Sequence, residues 1–137
     1  MVKPLLTLQQ QREYLLSSIR KQKQVVFNYP DKNRGKRTGI LKHRSVVFSA
    51  DFPEDGIVYW DVLDIIRFDG EPEDEIRFTY YRYKYKEGIN LRGKPVILGW
   101  NFAGQNSFCE PISKVKELFE ELKNEKPEIC SQIGLKT

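Results

Sequence analysis

The fold is decided by two runs of strand-forming residues around one turn: IVYWDVLDIIRF (57–68), DGEPED (69–74) and EIRFTYYRYKYK (75–86). β-Branched and aromatic residues dominate both runs, and the turn is rich in glycine, proline and acidic residues. Two such runs around a short turn predict an antiparallel hairpin. The run over residues 38–49 and the turn DFPEDG (51–56) repeat the pattern upstream, so hairpins follow one another in series.

Two shorter strands complete a strand-rich region over residues 24–100. Residues 25–29 are β-branched and aromatic and stop at Pro30, which indicates a short strand. Residues 95–100 begin with a proline, which is tolerated at the first position of a strand. The region therefore contains about five strands.

An amphipathic helix is predicted on each side of this region. Apolar residues recur at helical spacing over residues 5–23, where Thr7 and Gln10 form a capping box, and over residues 111–125. We expect residues 126–137 to form a loosely held tail. The residues predicted to pack on the sheet are Leu8, Leu15 and Ile19 in the first helix and Val115, Leu118, Phe119 and Leu122 in the second.

The length of 137 residues suits one domain with a single hydrophobic core. Successive strands with short turns, preceded and followed by a helix, indicate an α+β fold. We predict a small antiparallel five-stranded bent sheet, or a partly open barrel of the Sm or SH3 kind, with an N-terminal helix and a C-terminal helix.

Charge is arranged in blocks, although the formal net charge is only +4. Residues 1–49 contain 11 Lys and Arg against 2 Asp and Glu, residues 50–76 contain 1 against 10, and residues 77–99 contain 6 against 1. Such blocks predict either a basic and an acidic side that steer a charged partner, or acids and bases that pair across neighbouring strands. The sequence leaves both alternatives open.

The sequence does not indicate a membrane span, a signal peptide, a zinc site or a disulfide. No apolar run approaches the roughly 20 residues of a membrane span, and the first residues lack the apolar stretch of a signal peptide. We therefore expect a cytoplasmic protein that does not contact a membrane. Cys109 and Cys130 have no CxxC spacing and the chain has one histidine, so neither a zinc site nor a disulfide is indicated, and no cofactor is implied.

Catalytic patterns are equally sparse. His43 is the only histidine, and no GxSxG elbow, P-loop or GxGxxG motif accompanies it. The acidic stretch over residues 51–75 lacks the ordered spacing of a calcium loop, so no metal site is expected. These observations favour a binding module over an enzyme.

The last of the long predicted strands carries the strongest indication of a binding surface. Alternate residues of a strand lie on opposite faces, so Arg77 shares one face with Tyr81 and Tyr83, and Ile76 shares the other with Phe78. We expect the apolar Ile76 and Phe78 to face the core and the tyrosine row to face solvent. Tyrosines beside Arg and Lys can stack bases and neutralise phosphates, although such side chains also cover sheets that bind nothing.

Three segments carry a further indication. SIRKQKQVVFNY (18–29) joins a basic helix end to a V-x-F-x-Y strand, GIVYWDVL (56–63) contains adjacent Tyr and Trp followed by Leu, and RFTYYRY (77–83) joins Arg-Phe to a second arginine. Together they resemble, over about residues 15–86, the WYL domain, a Sm-like barrel of bacterial transcription regulators and CRISPR-associated proteins. The resemblance implies a module that senses a nucleotide or nucleic acid through aromatic and arginine side chains. The positions that it implies are Tyr59, Trp60, Arg77 and Arg82.

The sequence thus predicts a small regulatory module that binds a nucleic acid or nucleotide through a basic, aromatic strand face. RNA, DNA and a small nucleotide stay open as ligands. The other hypothesis is a protein-interaction or assembly module, whose basic and acidic surfaces meet a protein partner or further copies of the chain. The residues predicted for phosphate contacts are Arg37, His43, Arg44, Arg77 and Arg82, and those predicted for stacking are Tyr59, Trp60, Tyr81 and Tyr83.

Overall fold

The first helix, α1 (Leu8–Arg20), begins with the predicted capping box. The Thr7 N–H donates to Gln10 Oε1 at 2.9 Å, and the Gln10 N–H donates to Thr7 Oγ1 at 3.1 Å. These two bonds satisfy backbone donors that the start of a helix leaves without partners. The computed structural model describes residues 4–20, 24–28, 36–102 and 108–134 of the chain.

In the described parts of the chain, six antiparallel strands form one sheet. Five of them follow a continuous path in chain order, and the sixth pairs with the fourth. The strands are β1 (Gln24–Asn28), β2 (Lys36–Phe52), β3 (Ile57–Phe68), β4 (Glu75–Lys84), β5 (Gly99–Phe102) and β6 (Phe108–Pro111).

The two short C-terminal strands meet on β4. While β3 pairs along the whole of β4, β6 pairs with its residues 75–78 and β5 with its residues 81–84. The register of β2 shifts between Leu41 and His43 and again between Phe48 and Ala50, and such bulges bend a strand. Among the described residues β1 and β5 do not pair, so the bent sheet is not closed into a barrel. The predicted α+β fold class is confirmed.

The described residues after β6 form two helices, α2 (Ile112–Glu125) and α3 (Pro127–Gln132). The sequence predicted the first of them and a loosely held tail in place of the second. Cys130 of α3 is buried, so this short helix is packed against the rest of the chain. No helix in the described parts of the chain has the length and the apolar character needed to cross a membrane.

The sheet has two unlike faces. All even-numbered residues of β3 are buried on the face that α1 covers, which we call the inner face. The odd-numbered residues of β3 lie on the opposite, outer face, and none of them is fully buried. The inner face carries two apolar clusters, one of Leu15, Val58, Trp60, Tyr83 and Tyr85 and one of Leu41, Ile66 and Phe68.

The orientation predicted for β4 is wrong. Tyr83 lies on the inner face because the register of β3 and β4 places it beside the buried Val58. Its ring packs in the core, with its centroid 5.1 Å from that of Trp100. The tyrosine row therefore lies on the inner face, between the sheet and α1. The side chains that β4 places on the outer face are those of Ile76, Phe78, Tyr80, Arg82 and Lys84.

The predicted packing of α1 holds at one position. Leu15 is buried against the inner face, whereas Leu8 is 47% exposed. The side chain of Ile19, the end of the first predicted strand at Tyr29 and the turn over residues 30–35 lie outside the described residues.

The predicted packing of α2 is wrong for two of its four residues. Val115 is buried and Leu122 is partly buried, but Leu118 and Phe119 are 58% and 40% exposed. The cause is the position of α2, which contacts α3, β6 and β4 instead of lying across the sheet. Part of its apolar side is therefore left without cover from the described residues.

Candidate functional site

Three charged residues meet at the centre of the inner face. Arg44, Asp64 and Arg77 stand side by side on β2, β3 and β4 because the strand register aligns them. Arg44 donates from Nε and Nη2 to the two oxygens of Asp64 at 2.7 and 3.1 Å, and Arg77 Nη2 donates to Asp64 Oδ2 at 2.7 Å. The side chain of Asp64 is 0% exposed and each arginine only 4%. We call these three residues the buried triad.

The buried triad also joins α1 to the sheet. Arg44 Nη1 donates to the Leu15 carbonyl at 3.0 Å, and Arg44 Nη2 donates to the Tyr81 hydroxyl at 3.1 Å. Burial lowers the pKa of Arg44, but the hydrogen bond and the charge of Asp64 outweigh it and leave that pKa raised, so the guanidinium stays charged. Asp64 occupies the position from which a phosphate would accept the hydrogen bonds of these arginines. Their observed contacts are therefore structural.

Two of the predicted stacking residues lie in the core. Trp60 is buried, and its Nε1 donates to Gln11 Oε1 of α1 at 2.8 Å. Gln11 itself is fully buried and donates from Nε2 to the Leu6 carbonyl at 3.0 Å. Tyr83 lies in the same cluster as Trp60. The third, Tyr81, is half-buried and packs against Phe102 with 5.0 Å between ring centroids.

Arg37 belongs to a second polar group on the inner face. It forms an ion pair with the buried Glu75, and its Cζ lies 3.9 Å from the centroid of the Phe68 ring. The thiol of Cys109 donates to Glu75 Oε1 at 3.5 Å. Burial, with the nearby Glu75 charge, raises the pKa of Cys109 to about 12, so this thiol is protonated near neutral pH.

Acids and bases also pair at the surface of the sheet. Lys42 Nζ and Arg67 Nε lie 2.9 and 2.8 Å from the carboxylate oxygens of Asp74. The hydrogen bond from Lys42 is the largest cause of the lowered pKa of Asp74. The alternative of acids and bases that pair between neighbouring segments therefore holds for these residues, and it leaves fewer free cations for a ligand.

The outer face carries a different group of aromatic and basic residues. The rings of Tyr59 and Tyr80 lie 5.9 Å apart between centroids, and Phe52 meets Tyr59 edge-on at 5.6 Å. Arg82 is directly across from Tyr59 in the register of β3 and β4 and is exposed. Among the described residues no ion pair or hydrogen bond engages its guanidinium. We call Phe52, Tyr59, Tyr80 and Arg82 the outer platform.

Two lysines continue the line of positive charge beyond Arg82. Lys84 donates to the Asp55 carbonyl and Lys86 donates to the Glu54 carbonyl at 2.7 Å, so both ammonium groups are bound by backbone oxygens in the β2–β3 turn. Residues two apart in a strand lie about 6.8 Å apart on one face. Lys84 therefore follows Arg82 on the outer face of β4, and Lys86 lies just past the end of that strand.

His43 lies apart from the outer platform. It is on the outer face beside Ile65, whereas Tyr59 is beside Ala50 at the other end of β2. Its exposed Nε2 is 3.0 Å from Ser45 Oγ. Of the nine predicted site residues, the structure therefore brings together only Tyr59 and Arg82 at the solvent-facing surface.

Phe52 and Tyr80 of the outer platform are not among the site residues predicted from the sequence. Alternation along the strand groups Tyr80 with Ile76 and Phe78, the side predicted to face the core, so the pattern does not indicate it as a surface residue. No group of three or more His, Cys, Asp or Glu residues in the described part of the chain is arranged to hold a metal ion.

Comparisons with known proteins identify no relative. No protein-family model matches the chain, and neither does any curated protein or solved structure with which it was compared.

Proposed function

We propose that this protein is a small nucleic-acid-binding module that holds a single strand on its outer platform. The observation that carries the proposal is the pair of Tyr59 and Tyr80 at the solvent-facing surface beside an arginine that the described residues leave without a partner. Aromatic rings on a sheet next to basic groups are the usual means of holding single strands.

Stacking supplies the first part of the proposed interaction. Phe52, Tyr59 and Tyr80 form a row across β2, β3 and β4, and all three rings are partly exposed. Their mutual contacts hold the rings in place, so little side-chain entropy is lost when a base docks against them. Base stacking on an aromatic side chain is worth about 1–3 kcal/mol per base and tolerates any sequence.

Phosphate contacts supply the second part. No carboxylate of the described residues pairs with the Arg82 guanidinium, and the ammonium groups of Lys84 and Lys86 donate to backbone carbonyls rather than to carboxylates. Acidic residues oppose this attraction, since the exposed Asp61 lies across from Tyr80 and the two residues whose carbonyls bind the lysines, Glu54 and Asp55, are exposed acids as well. The outer platform is therefore suited to a short segment of a strand rather than to a long duplex.

Two of the four positions that the resemblance to the WYL domain implies agree with this proposal. Tyr59 and Arg82 belong to the outer platform, whereas Trp60 and Arg77 are buried. As part of the same proposal we place the protein in the cytoplasm, where the unpaired thiols of Cys109 and Cys130 would stay reduced.

Exchanging Tyr59 for alanine is expected to weaken binding of a labelled single-stranded oligonucleotide by about 1–3 kcal/mol, or roughly 5- to 150-fold. Arg82→Gln should weaken binding too and should reduce the slope of log affinity against log salt by about 0.7, the value for one phosphate contact of a single strand. Asp61→Asn should strengthen binding, because it removes one of the opposing charges. Fluorescence anisotropy at two salt concentrations measures all three effects.

Matched controls for this experiment lie on α1, across the sheet from the outer platform. Tyr14→Ala and Arg12→Gln replace an exposed tyrosine and an exposed arginine there and should leave the affinity unchanged. The proposal is wrong if the unmodified protein binds no oligonucleotide at low salt. It is also wrong if the control substitutions reduce the affinity as much as those in the outer platform.

A further inference from the structure

The segment between β4 and β5, residues 88–98, folds back on itself as a small hairpin. The Asn90 N–H donates to the Lys94 carbonyl at 2.8 Å across it. The side chain of Asn90 fixes the turn, because its Oδ1 accepts the N–H groups of Arg92 and Lys94 at 2.9 and 3.1 Å. The turn is therefore ordered, and we call residues 88–98 the basic hairpin.

The basic hairpin holds apolar side chains in solvent. Leu91, at the turn, is fully exposed, and Ile89 and Ile97 are each about three-quarters exposed. Because folding buries none of the Leu91 side chain, its apolar surface stays in contact with water until a partner covers it. Exposed apolar side chains that stand together mark a site of contact with a protein or a membrane.

Two cations stand beside these apolar side chains. Arg92 and Lys94 are exposed, and no carboxylate of the described residues pairs with either of them. The basic hairpin itself contains no Asp or Glu. The acids that adjoin it are Glu87 and, in the β2–β3 turn, Glu54 and Asp55, all at the end of β4 from which the hairpin starts. The turn of the basic hairpin therefore has a positive charge of its own.

The size of the basic hairpin favours a membrane surface over a protein partner. A specific protein interface takes about 20–30 residues from each partner, far more than this hairpin offers. A bilayer needs no matching pocket, because the region between its headgroups and acyl chains takes up apolar side chains of any shape. Anionic headgroups also attract the cations beside them. An exposed leucine between unpaired cations fits such a surface.

We propose that the basic hairpin binds the surface of a bilayer that contains anionic lipids. Leu91 enters the boundary between headgroups and acyl chains, and Arg92 and Lys94 stay at the level of the lipid phosphates, where their long side chains reach the headgroups. One hairpin gives weak and reversible binding, since its strength scales with the apolar area buried and the charge attracted. Surface contact of this kind needs no apolar run as long as a membrane span, which is why the sequence does not indicate it.

Vesicle flotation tests the proposal with two kinds of vesicle, one of equal parts phosphatidylcholine and phosphatidylserine and one of phosphatidylcholine alone. The protein should float with the mixed vesicles and bind those without phosphatidylserine at least about tenfold more weakly, because two cations lose their attraction. Leu91→Gln should weaken binding to the mixed vesicles at least about tenfold, since a leucine no longer leaves water. Arg92→Gln should weaken it about fivefold.

Matched controls lie outside the basic hairpin. Leu5→Gln replaces another exposed leucine and Arg12→Gln another exposed arginine, and both should bind the mixed vesicles as the unmodified protein does. Arg12→Gln and Arg92→Gln change the net charge equally. A difference between these two variants therefore reports on the position of the charge and not on the net charge of the protein.

A fluorescence measurement distinguishes insertion from adhesion by charge. Leu91→Trp keeps an apolar side chain at the turn, so this variant should still float, and its added emission should be quenched by lipids that carry bromine on their acyl chains. Leu5→Trp should show no added quenching. The proposal is overturned if the unmodified protein does not float with the mixed vesicles at low salt. It is equally overturned if Leu91→Gln floats as well as Leu5→Gln, or if brominated lipids do not quench the added emission of Leu91→Trp.

The outer platform is tested separately, because it shares no residue with the basic hairpin. All vesicle samples are free of nucleic acid, and Leu91→Gln should bind a single-stranded oligonucleotide with the affinity of the unmodified protein. Loss of vesicle binding with unchanged oligonucleotide binding is the expected result for this variant. Weaker oligonucleotide binding by Leu91→Gln would assign the hairpin to the nucleic acid and overturn the membrane proposal.

Discussion

Replacing Asp64 by asparagine is expected to lower the free energy of unfolding by about 3–5 kcal/mol, the usual result of removing one partner from a buried ion pair. Asp64 is 0% exposed and accepts hydrogen bonds from both Arg44 and Arg77. Without its charge, two guanidinium groups remain buried side by side, and neither can lose its proton near neutral pH. Urea denaturation followed by circular dichroism measures the loss.

A matched control is available on the same strand. Asp61 is exposed on the outer face, three residues before Asp64. Asp61→Asn should change the free energy of unfolding by no more than about 0.5 kcal/mol, as is usual for surface substitutions. Equal effects of the two substitutions would show that the buried triad does not stabilise the fold.

Replacing Leu15 by alanine is expected to cost about 2–5 kcal/mol of stability, the usual range for a buried leucine. Leu15 of α1 packs in the core beside Val58 and Trp60, and its carbonyl accepts a hydrogen bond from Arg44. The substitution leaves a cavity under α1, so this helix should detach more readily than the sheet unfolds. Hydrogen exchange of the α1 amides, together with urea denaturation, measures both effects.

The control for this substitution is Leu8→Ala in the first turn of the same helix. Leu8 is about half exposed, so its truncation removes less buried area and should cost much less than that of Leu15. A cost at position 8 as large as that at position 15 would mean that α1 packs on the sheet in a different orientation.

The sequence predicted the long strands well because their ends are marked locally. The run over residues 57–68 coincides with β3, and the turns on both sides contain the glycine, proline and acidic residues that stop a strand. The prediction for the last strand, over residues 95–100, was less accurate, since β5 begins at Gly99 rather than at Pro95. β6 was missed because its four residues carry no strand pattern of their own, and only pairing with β4 defines it.

The faces of β4 could not be predicted from alternation, because aromatic residues stand on both of them. The deciding contact is distant in sequence. Asp64 of β3 is buried on the inner face, where it pairs with Arg44 and Arg77. Because alternate residues of β4 share a face, Tyr81 and Tyr83 lie on the same side as Arg77. Local patterns do not show which charges will share a buried ion pair. Most of the residues predicted for the site therefore lie on the inner face instead of the solvent-facing one.

The exposure of α2 has a similar cause. Apolar residues at helical spacing predict a buried side, and Val115 fulfils that prediction. Leu118 and Phe119 follow the same spacing but extend past the elements that α2 contacts. The spacing of apolar residues identifies the side of a helix that is expected to be buried. Whether the same chain covers that side depends on tertiary structure.

The most direct test of the proposed function is photocrosslinking to an iodouracil-substituted single-stranded oligonucleotide, with the modified residue found by mass spectrometry. A base that stacks on the outer platform lies against the rings of Phe52, Tyr59 or Tyr80, so crosslinks to these residues are expected. Crosslinks confined to aromatic residues that serve the inner face or α1, such as Tyr81, Trp100 or Tyr14, would contradict it.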